Sequence, residues 1–264
     1  MKNIPILTED TILELEKSLG RFIQAKHRKT GLPFVTLKFA QTLDGKIATL
    51  TGDSKWISNP SSLRFAHRLR SFHNAILVGV DTIIKDDPQL TVRLVDGSTP
   101  LTIYEGKNPI KIIVDSQLRT PINSKALKEK TEHSTIIATT SLCDAKKIKR
   151  YESHGAEILI LKKSISNQVD LPNLLHELGK RNIRSVLVEG GAKIISSFLE
   201  RRSEFGSIGL TDHLVVVIDP KILGRGISYI DISTPIRADN LISFSSFKYF
   251  RSGDDIILSA LAQI

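Results

Sequence analysis

The chain has 264 residues, a length that corresponds to roughly one or two domains. Hydrophobic residues make up 41% and charged residues 25%, which argues against a disordered chain, a coiled coil or a collagen-like repeat. The net charge of +9 favours anionic partners: nucleic acid, an anionic membrane or a phosphorylated small molecule. No aromatic residues alternate with the basic cluster Lys146–Arg150, so that cluster is interpreted as a solvated helix face and no nucleic-acid surface is predicted.

The sequence carries no sign of export or of a membrane span. Cys143 is the single cysteine, which excludes an internal disulfide and a thiolate metal cluster. The longest apolar runs, such as residues 214–218, are far shorter than the roughly 20 residues that cross a bilayer. No basic start followed by an apolar stretch opens the chain, so no signal peptide is predicted. We therefore expect a cytoplasmic protein without a membrane partner.

The predicted elements begin with a helix, after which strands and helices alternate. Apolar residues at helical spacing predict an amphipathic helix over residues 9–26, and residues 34–40 are typical of a strand. Asn59-Pro60 predicts the start of a second helix, with Phe65, Leu69 and Phe72 on its buried face. Further strands are predicted at residues 75–78, 111–114, 135–138, 157–160 and 185–188. Further helices are predicted near residues 123–130, 144–152, 171–181 and 191–202. This alternation indicates a largely parallel sheet covered by helices.

In the C-terminal part the predicted strands no longer alternate with helices. Strands predicted at residues 212–218, 244–250 and 254–259 leave little room for helices, which indicates antiparallel additions at one edge of the sheet. Residues 96–109, rich in Gly and Pro, are interpreted as a surface loop rather than a domain linker. The pattern therefore predicts an α/β fold in a single domain, with a mostly parallel central sheet.

Several common sites are missing. No Gly-x-Gly-x-x-Gly fingerprint occurs, because Gly224-Arg225-Gly226 lacks its third glycine, and there is no phosphate-binding loop of the Gly-Lys-Ser/Thr type. No His-x-Glu and no Cys-x-x-Cys is present, so a zinc-dependent deaminase site is excluded. The scattered histidines are interpreted as structural or solvated, and no metal site is predicted.

Three charged groups remain as candidates. Glu189-Gly190-Gly191-Ala192 joins a predicted strand to a helix, where free amides could hold phosphate, although a tight turn explains the glycines equally well. Glu189 ends its strand, where open parallel sheets place ligands, and this favours function. Asp86-Asp87 could serve in acid–base chemistry or simply form a turn. Arg64, Arg68 and Arg70 share one helix, which by itself favours a solvated face over a phosphate clamp.

The segments taken together resemble a known family. Eight blocks occur in family order: residues 35–40, 42–48, 52–57, 75–80, 86–93, 114–116, 188–192 and 220–224. Each block is weak, but the ordered set resembles the reductase domain of the bifunctional deaminase/reductase of riboflavin biosynthesis. Residues 30–33 also resemble the run-in to that domain in the bacterial bifunctional enzyme.

The resemblance implies a dihydrofolate-reductase-like fold with helices on both faces of the sheet, and NADPH as cofactor. It implies reduction of the ribosyl group of 5-amino-6-(5-phosphoribosylamino)uracil to the ribityl form. The deaminase half has no counterpart in this sequence, so we expect a stand-alone reductase of one domain over residues 1–264. Within it, residues 1–30 form an N-terminal helical extension and residues 31–264 the core. Family members are commonly dimeric, which implies a homodimer.

The resemblance also implies site residues. The matched catalytic positions are Lys38, Asp86 and Glu189. The matched cofactor positions are Ala40, Trp56, Thr82, Asp86, Ser116, Gly191, Ala192, Lys193, Ile194, Ile195, Ser196 and Ser197. The matched substrate positions are Ser54, Arg70, Leu90, Arg93 and Glu189, where the arginines suit a 5′-phosphate.

Other interpretations stay open at this point. The substrate could be the 2,5-diamino-6-ribosylamino-pyrimidinone 5′-phosphate that precedes deamination, or a pterin or folate. A non-catalytic NADPH-binding regulator on the same fold is a further alternative, although the presence of Lys38, Asp86 and Glu189 speaks against lost chemistry. The bacterial-style run-in favours the uracil substrate.

Overall fold

A computed structural model describes residues 4–54, 57–92, 108–129, 131–200, 209–230 and 242–262. The helices are α1 (Glu9–Thr30), α2 (Pro60–Phe72), α3 (Val80–Asp86), α4 (Lys125–Lys128), α5 (Ala145–Glu152), α6 (Leu171–Lys180) and α7 (Ala192–Leu199). The strands are β1 (Phe34–Thr42), β2 (Lys46–Thr49), β3 (Ala75–Gly79), β4 (Ile110–Val114), β5 (Ile136–Thr140), β6 (Glu157–Leu161), β7 (Ser185–Glu189), β8 (His213–Asp219), β9 (Gly226–Ser228), β10 (Phe244–Ser252) and β11 (Asp255–Ala262).

The described strands form a nine-stranded sheet and a two-stranded one. The order in the large sheet is β10-β11-β8-β1-β7-β3-β4-β5-β6, while β2 pairs with β9. The expected antiparallel edge is present, but only β11 runs against the other strands. β8 pairs in parallel with β1, because the connection through α7 returns the chain to its starting direction. The reversal comes from the tight β10–β11 turn, where Gly253 has φ 62°.

Helices cover both faces of the large sheet. α1 and α2 pack on one face through Leu19 and Leu69, against the β7 residue Leu187. α6 and α7 pack on the other face through Leu174 and Phe198. The central strands are buried on both sides, which explains why their sequences are mostly apolar; the buried Lys111 of β4 is an exception and donates to the Ala126 carbonyl oxygen at 2.9 Å.

Most predicted elements are present, with a few differences. Asn59 caps α2 by accepting a hydrogen bond from the Ser62 amide, as the sequence predicted, and Pro60 opens the helix. The predicted helix near 123–130 shrinks to a single turn, and α3, β2 and β9 were not predicted. Most of the predicted loop at 96–109 lies outside the described residues. The basic cluster on α5 is exposed, as expected. In the described part of the chain, no helix has the length and hydrophobicity that a membrane span needs.

A buried ion-pair cluster fixes α1 on α2. Arg68 Nε lies 2.5 Å from Glu16 Oε1, and Arg68 Nη1 lies 2.6 Å from Glu9 Oε1. The Arg68 side chain is only 5% exposed and that of Glu16 is 12% exposed. The prediction of a solvated face was therefore wrong for Arg68, because α1 covers that side of α2. At its other end, α1 is joined to the start of β8 by Lys26 and Asp212, 2.5 Å apart.

Removal of the Glu16 charge should destabilise the protein. In Glu16→Gln the buried Arg68 guanidinium keeps Glu9 but loses the less exposed of these two carboxylates, which should cost about 1–3 kcal/mol. Chemical denaturation should show this loss. The exposed Glu14→Gln substitution on the same helix is the matched control and should change stability by less than about 0.5 kcal/mol. Equal effects of the two substitutions would contradict the assignment.

A buried chain of hydrogen bonds joins α2 to β11 through two histidines. His73 Nδ1 lies 2.7 Å from the Leu69 carbonyl oxygen, so this nitrogen must be the donor. His73 Nε2 lies 2.9 Å from Thr36 Oγ1, which in turn lies 3.3 Å from His213 Nδ1. His213 Nε2 lies 2.8 Å from Ser259 Oγ. Every group is satisfied when both rings are neutral and the two hydroxyls donate to the Nε2 atoms.

Burial lowers the pKa of His73 to about 4 and that of His213 to about 3. The carbonyl of Leu69 and the charge of Glu189 oppose the shift at His73, and His73 adds to the shift at His213. Below pH 6.5 the unfolded chain therefore binds protons that the folded protein cannot. Each histidine stabilises the fold fully above about pH 6.5 and loses this contribution as the pH falls toward its folded pKa.

When the pH falls from 7 to 5, each histidine should lower the free energy of unfolding by about 2 kcal/mol. Over the same pH change, the free energy of unfolding of His73→Gln should fall by about 2 kcal/mol less than that of the unsubstituted protein, as measured by urea denaturation at both pH values. The exposed His176→Gln on α6 serves as control and should retain the original pH dependence. An unchanged pH dependence in His73→Gln would show that this ring is not held neutral.

Candidate functional site

A cleft of about 1640 Å³ lies at the carboxyl ends of β1, β7, β3 and β4. Open parallel sheets place their ligands at this edge, because the chain leaves the sheet there as loops and helix starts. One end of the cleft is lined by Lys38, Arg70 and Glu189, and the other by the segment after β6. The middle is formed by the turn between β7 and α7.

Three charged side chains meet at the first end of the cleft. Lys38 and Glu189 are register partners on the neighbouring parallel strands β1 and β7, so the two side chains emerge from the same face of the sheet. Arg70 reaches them from the last turn of α2, with Nη2 2.7 Å from Glu189 Oε2 and Nε 3.3 Å from Oε1. Its Nη1 also donates to the Thr91 carbonyl oxygen at 3.3 Å. The guanidinium thus fixes the carboxylate in a two-pronged contact.

Burial and mutual attraction set the charges of this cluster. Burial opposes ionisation of Glu189, but the Arg70 guanidinium and the Lys38 ammonium outweigh it and lower the pKa of Glu189 to about 2. Burial also lowers the pKa of Lys38, and the attraction of Glu189 only partly offsets this. Glu189 is therefore a permanent anion, and Lys38 is an ammonium that releases its proton more readily than an ordinary lysine.

The middle of the cleft is a glycine turn that admits no side chain at Gly190. A Cβ at Gly190 would lie 2.5 Å from Ile194 Cγ2, so the residue must be glycine for α7 to pack on the end of β7. The Gly191 amide donates to Thr82 Oγ1 at 3.3 Å, which joins the turn to α3. Gly191 is the N-terminal cap of α7 and has no side chain to satisfy the first amides of that helix. These amides are available to an anionic group in the cleft.

The outer rim of the glycine turn carries a second charged group. Asp81 on α3 lies between Lys193 Nζ at 3.0 Å and Arg119 Nη2 at 2.9 Å. Hydrogen bonding to Lys193 and then Arg119 lowers the pKa of Asp81 against the opposing effect of its partial burial. The pairing holds α3, α7 and the loop after β4 together at the rim, and it engages both cations.

The two adjacent carboxylates at the end of α3 have different surroundings. Asp86 lines the cleft, whereas Asp87 accepts a hydrogen bond from the Lys125 amide at 2.7 Å and so tethers α3 to α4. Asp87 has φ 41° and Leu90 has φ 57°, two left-handed conformations that turn the chain sharply. The turn buries Leu90 and brings Thr91 to Arg70.

Comparison with known proteins identifies the family. A family model described as the RibD C-terminal domain matches residues 33–251. The chain belongs to this family.

Three relatives illustrate the extent of the match. The riboflavin biosynthesis protein RibD of Aquifex aeolicus (strain VF5) is 39% identical over 227 residues, which is 86% of this chain and 57% of that protein. The 2,5-diamino-6-ribosylamino-4(3H)-pyrimidinone 5′-phosphate reductase of Methanothermobacter thermautotrophicus is 36% identical over 192 residues, covering 73% of this chain and 80% of that protein. The structure of the riboflavin biosynthesis reductase Rib7 of Saccharomyces cerevisiae superposes with a TM-score of 0.67 at 25% identity, over 89% of this chain and 91% of that one.

The chain thus spans little more than half the length of its Aquifex relative and most of the length of the other two. The likeness confirms the family resemblance found in the sequence. It also confirms the α/β, dihydrofolate-reductase-like fold class with its mostly parallel sheet and antiparallel C-terminal addition.

Most of the site residues predicted from the sequence resemblance line the cleft. Those lining it are Lys38, Ala40, Ser54, Arg70, Thr82, Asp86, Leu90, Ser116, Glu189, Gly191, Ala192, Lys193, Ile194 and Ser197. Ile195 and Ser196 do not line it, because the turn of α7 points them into the protein, where both are buried. We omit these two from the binding set proposed below. Trp56 and Arg93 lie outside the described residues.

Ser116 lines the cleft wall, but its hydroxyl is already engaged. It donates to Gln168 Oε1 at 3.1 Å and accepts from the Val169 amide at 2.9 Å. These contacts fix a short segment after β6, residues 163–169, which we call the β6–α6 hairpin. Sequence reasoning missed this hairpin as part of the cleft, because nothing in its polar sequence indicates that it folds back over β4.

Substitution of Gly190 should damage both the fold and the cleft. Gly190→Ala places a methyl group 2.5 Å from Ile194, which should cost about 1–3 kcal/mol of stability and displace the start of α7. The matched control is Gly20→Ala in α1, where a Cβ would have no neighbour within 4 Å and where alanine should stabilise the helix by about 0.5–1 kcal/mol. Thermal unfolding should show that Gly190→Ala lowers stability and Gly20→Ala raises it. Destabilisation by both substitutions would contradict the assignment of the turn.

Proposed function

We propose that this chain catalyses the NADPH-dependent reduction of a phosphoribosylamino-pyrimidine, converting its ribosyl group to a ribityl chain in riboflavin biosynthesis. The observation that carries the proposal is the partly buried cluster of Lys38, Glu189 and Arg70 in a cleft of about 1640 Å³, in a member of the RibD C-terminal domain family. The proposed substrate is 5-amino-6-(5-phosphoribosylamino)uracil.

The reaction needs a hydride and a proton at adjacent atoms. Opening of the ribosylamine ring breaks the bond between the sugar carbon C1′ and the ring oxygen; that oxygen takes up a proton and the amine nitrogen gives one up. An imine results. The hydride that reduces C1′ would come from bound NADPH, and one external proton goes to the imine nitrogen. The protein must hold the imine carbon against the nicotinamide and place an acid near the nitrogen.

Lys38 fits the role of that acid. Its ammonium is buried and its pKa is lowered, so proton transfer to a nearby nitrogen is easier than from a solvated lysine. Glu189 keeps its negative charge and offsets positive charge that develops on the substrate as the imine is protonated. Asp86, at the mouth of the cleft, is a further acid–base candidate.

Arg70 supports the site in two ways. Three of its five N–H donors hold Glu189 and the Thr91 carbonyl, which leaves two donors for a ligand. We propose that these two bind the substrate together with Ser54 and Leu90, which line the same part of the cleft. Arg93 belongs to the same proposed set by its match to the family.

The proposed cofactor site runs along the rest of the cleft. The diphosphate of NADPH would lie on the first amides of α7, at Ala192 and Lys193, beside Gly191 and Thr82. Ala40, Ser116, Ile194 and Ser197 would complete its walls. The fit is supported by the glycine turn, which keeps this part of the cleft open at Gly190.

A second substrate deserves a direct comparison. The reductase from Methanothermobacter, named for the 2,5-diamino-6-ribosylamino-pyrimidinone 5′-phosphate, is matched over 80% of its length. This favours the diaminopyrimidinone as an alternative. The two compounds differ only in the base, and both carry the ribosylamine and the phosphate.

Oxidation of NADPH, followed by absorbance with each substrate separately, tests the proposal. We expect turnover of the phosphoribosylamino-uracil; turnover of the diaminopyrimidinone alone would reassign the substrate. Lys38→Met should lower kcat by about 10²- to 10⁴-fold, the usual contribution of a general acid, while NADPH still binds. The matched control is Lys146→Met on the exposed face of α5, which should keep full activity.

The pH dependence gives an independent check. Because the acid must be protonated, kcat should fall as the pH rises through the pKa of Lys38, which lies below that of an ordinary lysine. NADPH binding without turnover of either substrate would point to the regulator or to a pterin or folate reductase. Absence of NADPH binding would overturn the proposal.

A further inference from the structure

The β6–α6 hairpin closes the end of the cleft that lies farthest from Lys38 and Glu189. It contributes Lys163, Ser164, Ile165 and Ser166 to the cleft wall. The hairpin folds back over β4, which lies two strand spacings from β7, or roughly 10 Å. A ligand that touches both Glu189 and the hairpin must therefore span this distance.

The hairpin is held rigidly at its base. Lys163 and Val169 form an antiparallel bridge, and the Ser164 amide donates to the Gln168 carbonyl oxygen at 2.8 Å. The Asn167 amide donates to the Ser164 carbonyl at 3.0 Å, and Asn167 has φ 59°, a left-handed conformation that asparagine tolerates well. Together with the contacts from Ser116, these bonds fix the tip before any ligand arrives.

The tip presents an apolar and a cationic group to the cleft. The Ile165 side chain is fully exposed, at 107% of its reference surface. Ser164 Oγ and Ser166 Oγ lie 3.0 Å apart, so one hydroxyl proton of this pair stays available to an acceptor. Among the described residues, no acidic side chain lies within ion-pair distance of Lys163, whereas Arg119 and Lys193 are both engaged by Asp81.

We infer that the β6–α6 hairpin recognises the adenosine end of the cofactor, with Ile165 against the adenine ring and Lys163 on the 2′-phosphate. An exposed aliphatic side chain suits the face of a base, and an unengaged ammonium with adjacent hydroxyls suits a phosphate monoester. Sites that prefer NADH commonly place a carboxylate on the ribose hydroxyls, and the hairpin offers a cation instead. The inference rests on the proposed NADPH cofactor and adds the element that distinguishes it from NADH.

Dissociation constants for NADPH and NADH, measured by calorimetry on the full chain, test the assignment. The unsubstituted protein should bind NADPH more tightly than NADH. Lys163→Ala should weaken NADPH about tenfold or more and leave NADH unchanged, because only NADPH carries the 2′-phosphate. The matched control is Lys162→Ala, an exposed neighbour outside the cleft, which should leave both constants unchanged.

A second variant separates the two contacts. Ile165→Ser should weaken NADPH and NADH by the same factor, since both carry adenine. If the unsubstituted protein binds NADPH but Lys163→Ala behaves like Lys162→Ala, the assignment of the hairpin is wrong and the proposed function stands. If it binds both dinucleotides equally, the selectivity assignment also fails. If it binds neither, the proposed cofactor is wrong and the inference falls with it.

Discussion

The contact between Arg70 and Glu189 makes the rest of the site possible. A carboxylate buried at the end of a central strand is strongly destabilised unless a cation contacts it. Arg70 supplies that cation from α2, and Lys38 adds a second from β1. Because both must be at the right place, the position of α2 against the sheet is a requirement of the site as well as of the core.

That requirement extends to α1. Arg68 lies two residues before Arg70 on α2 and is held by Glu9 and Glu16 of α1. α2 therefore carries one buried arginine bound to the N-terminal helix and another bound to the site. The N-terminal helix, which lies before the residues matched by the family model, contributes to the fold around the site through charge as well as through Leu15 and Leu19.

The buried strands were predictable because a parallel strand covered on both faces is mostly apolar, and β3, β4, β5 and β7 contain the apolar runs 75–78, 112–114, 136–138 and 186–188. α3 was missed because its seven residues carry no side-chain cap and continue directly from β3. Arg68 was misjudged because its partners lie on another helix, 52 and 59 residues away in the sequence. Local spacing cannot reveal such a contact.

The residues of the site likewise differ in how far the sequence predicts them. Glu189 was identified from its place at the end of a strand, and Lys38 only from its match to the family, since a lysine in a strand has many explanations. The register of β1 and β7 brings the two together. The role of the β6–α6 hairpin in the cleft was beyond the sequence, because it follows from the Ser116 hydroxyl reaching Gln168 and Val169.

The strand order has a consequence for how the chain acquires its structure. β1, which carries Lys38, has no neighbour in the sheet from the nearby sequence; it pairs with β7 and β8, and Thr36 meets a histidine 177 residues further along. During synthesis β1 leaves the ribosome long before β7 and β8 are made, so its apolar side chains stay exposed until then. The centre of the sheet closes late, through contacts of long sequence separation that slow folding. Premature termination before β8 would leave β1 without its complete pairing, so a product that ends before His213 would lack the strand arrangement on which the site is built.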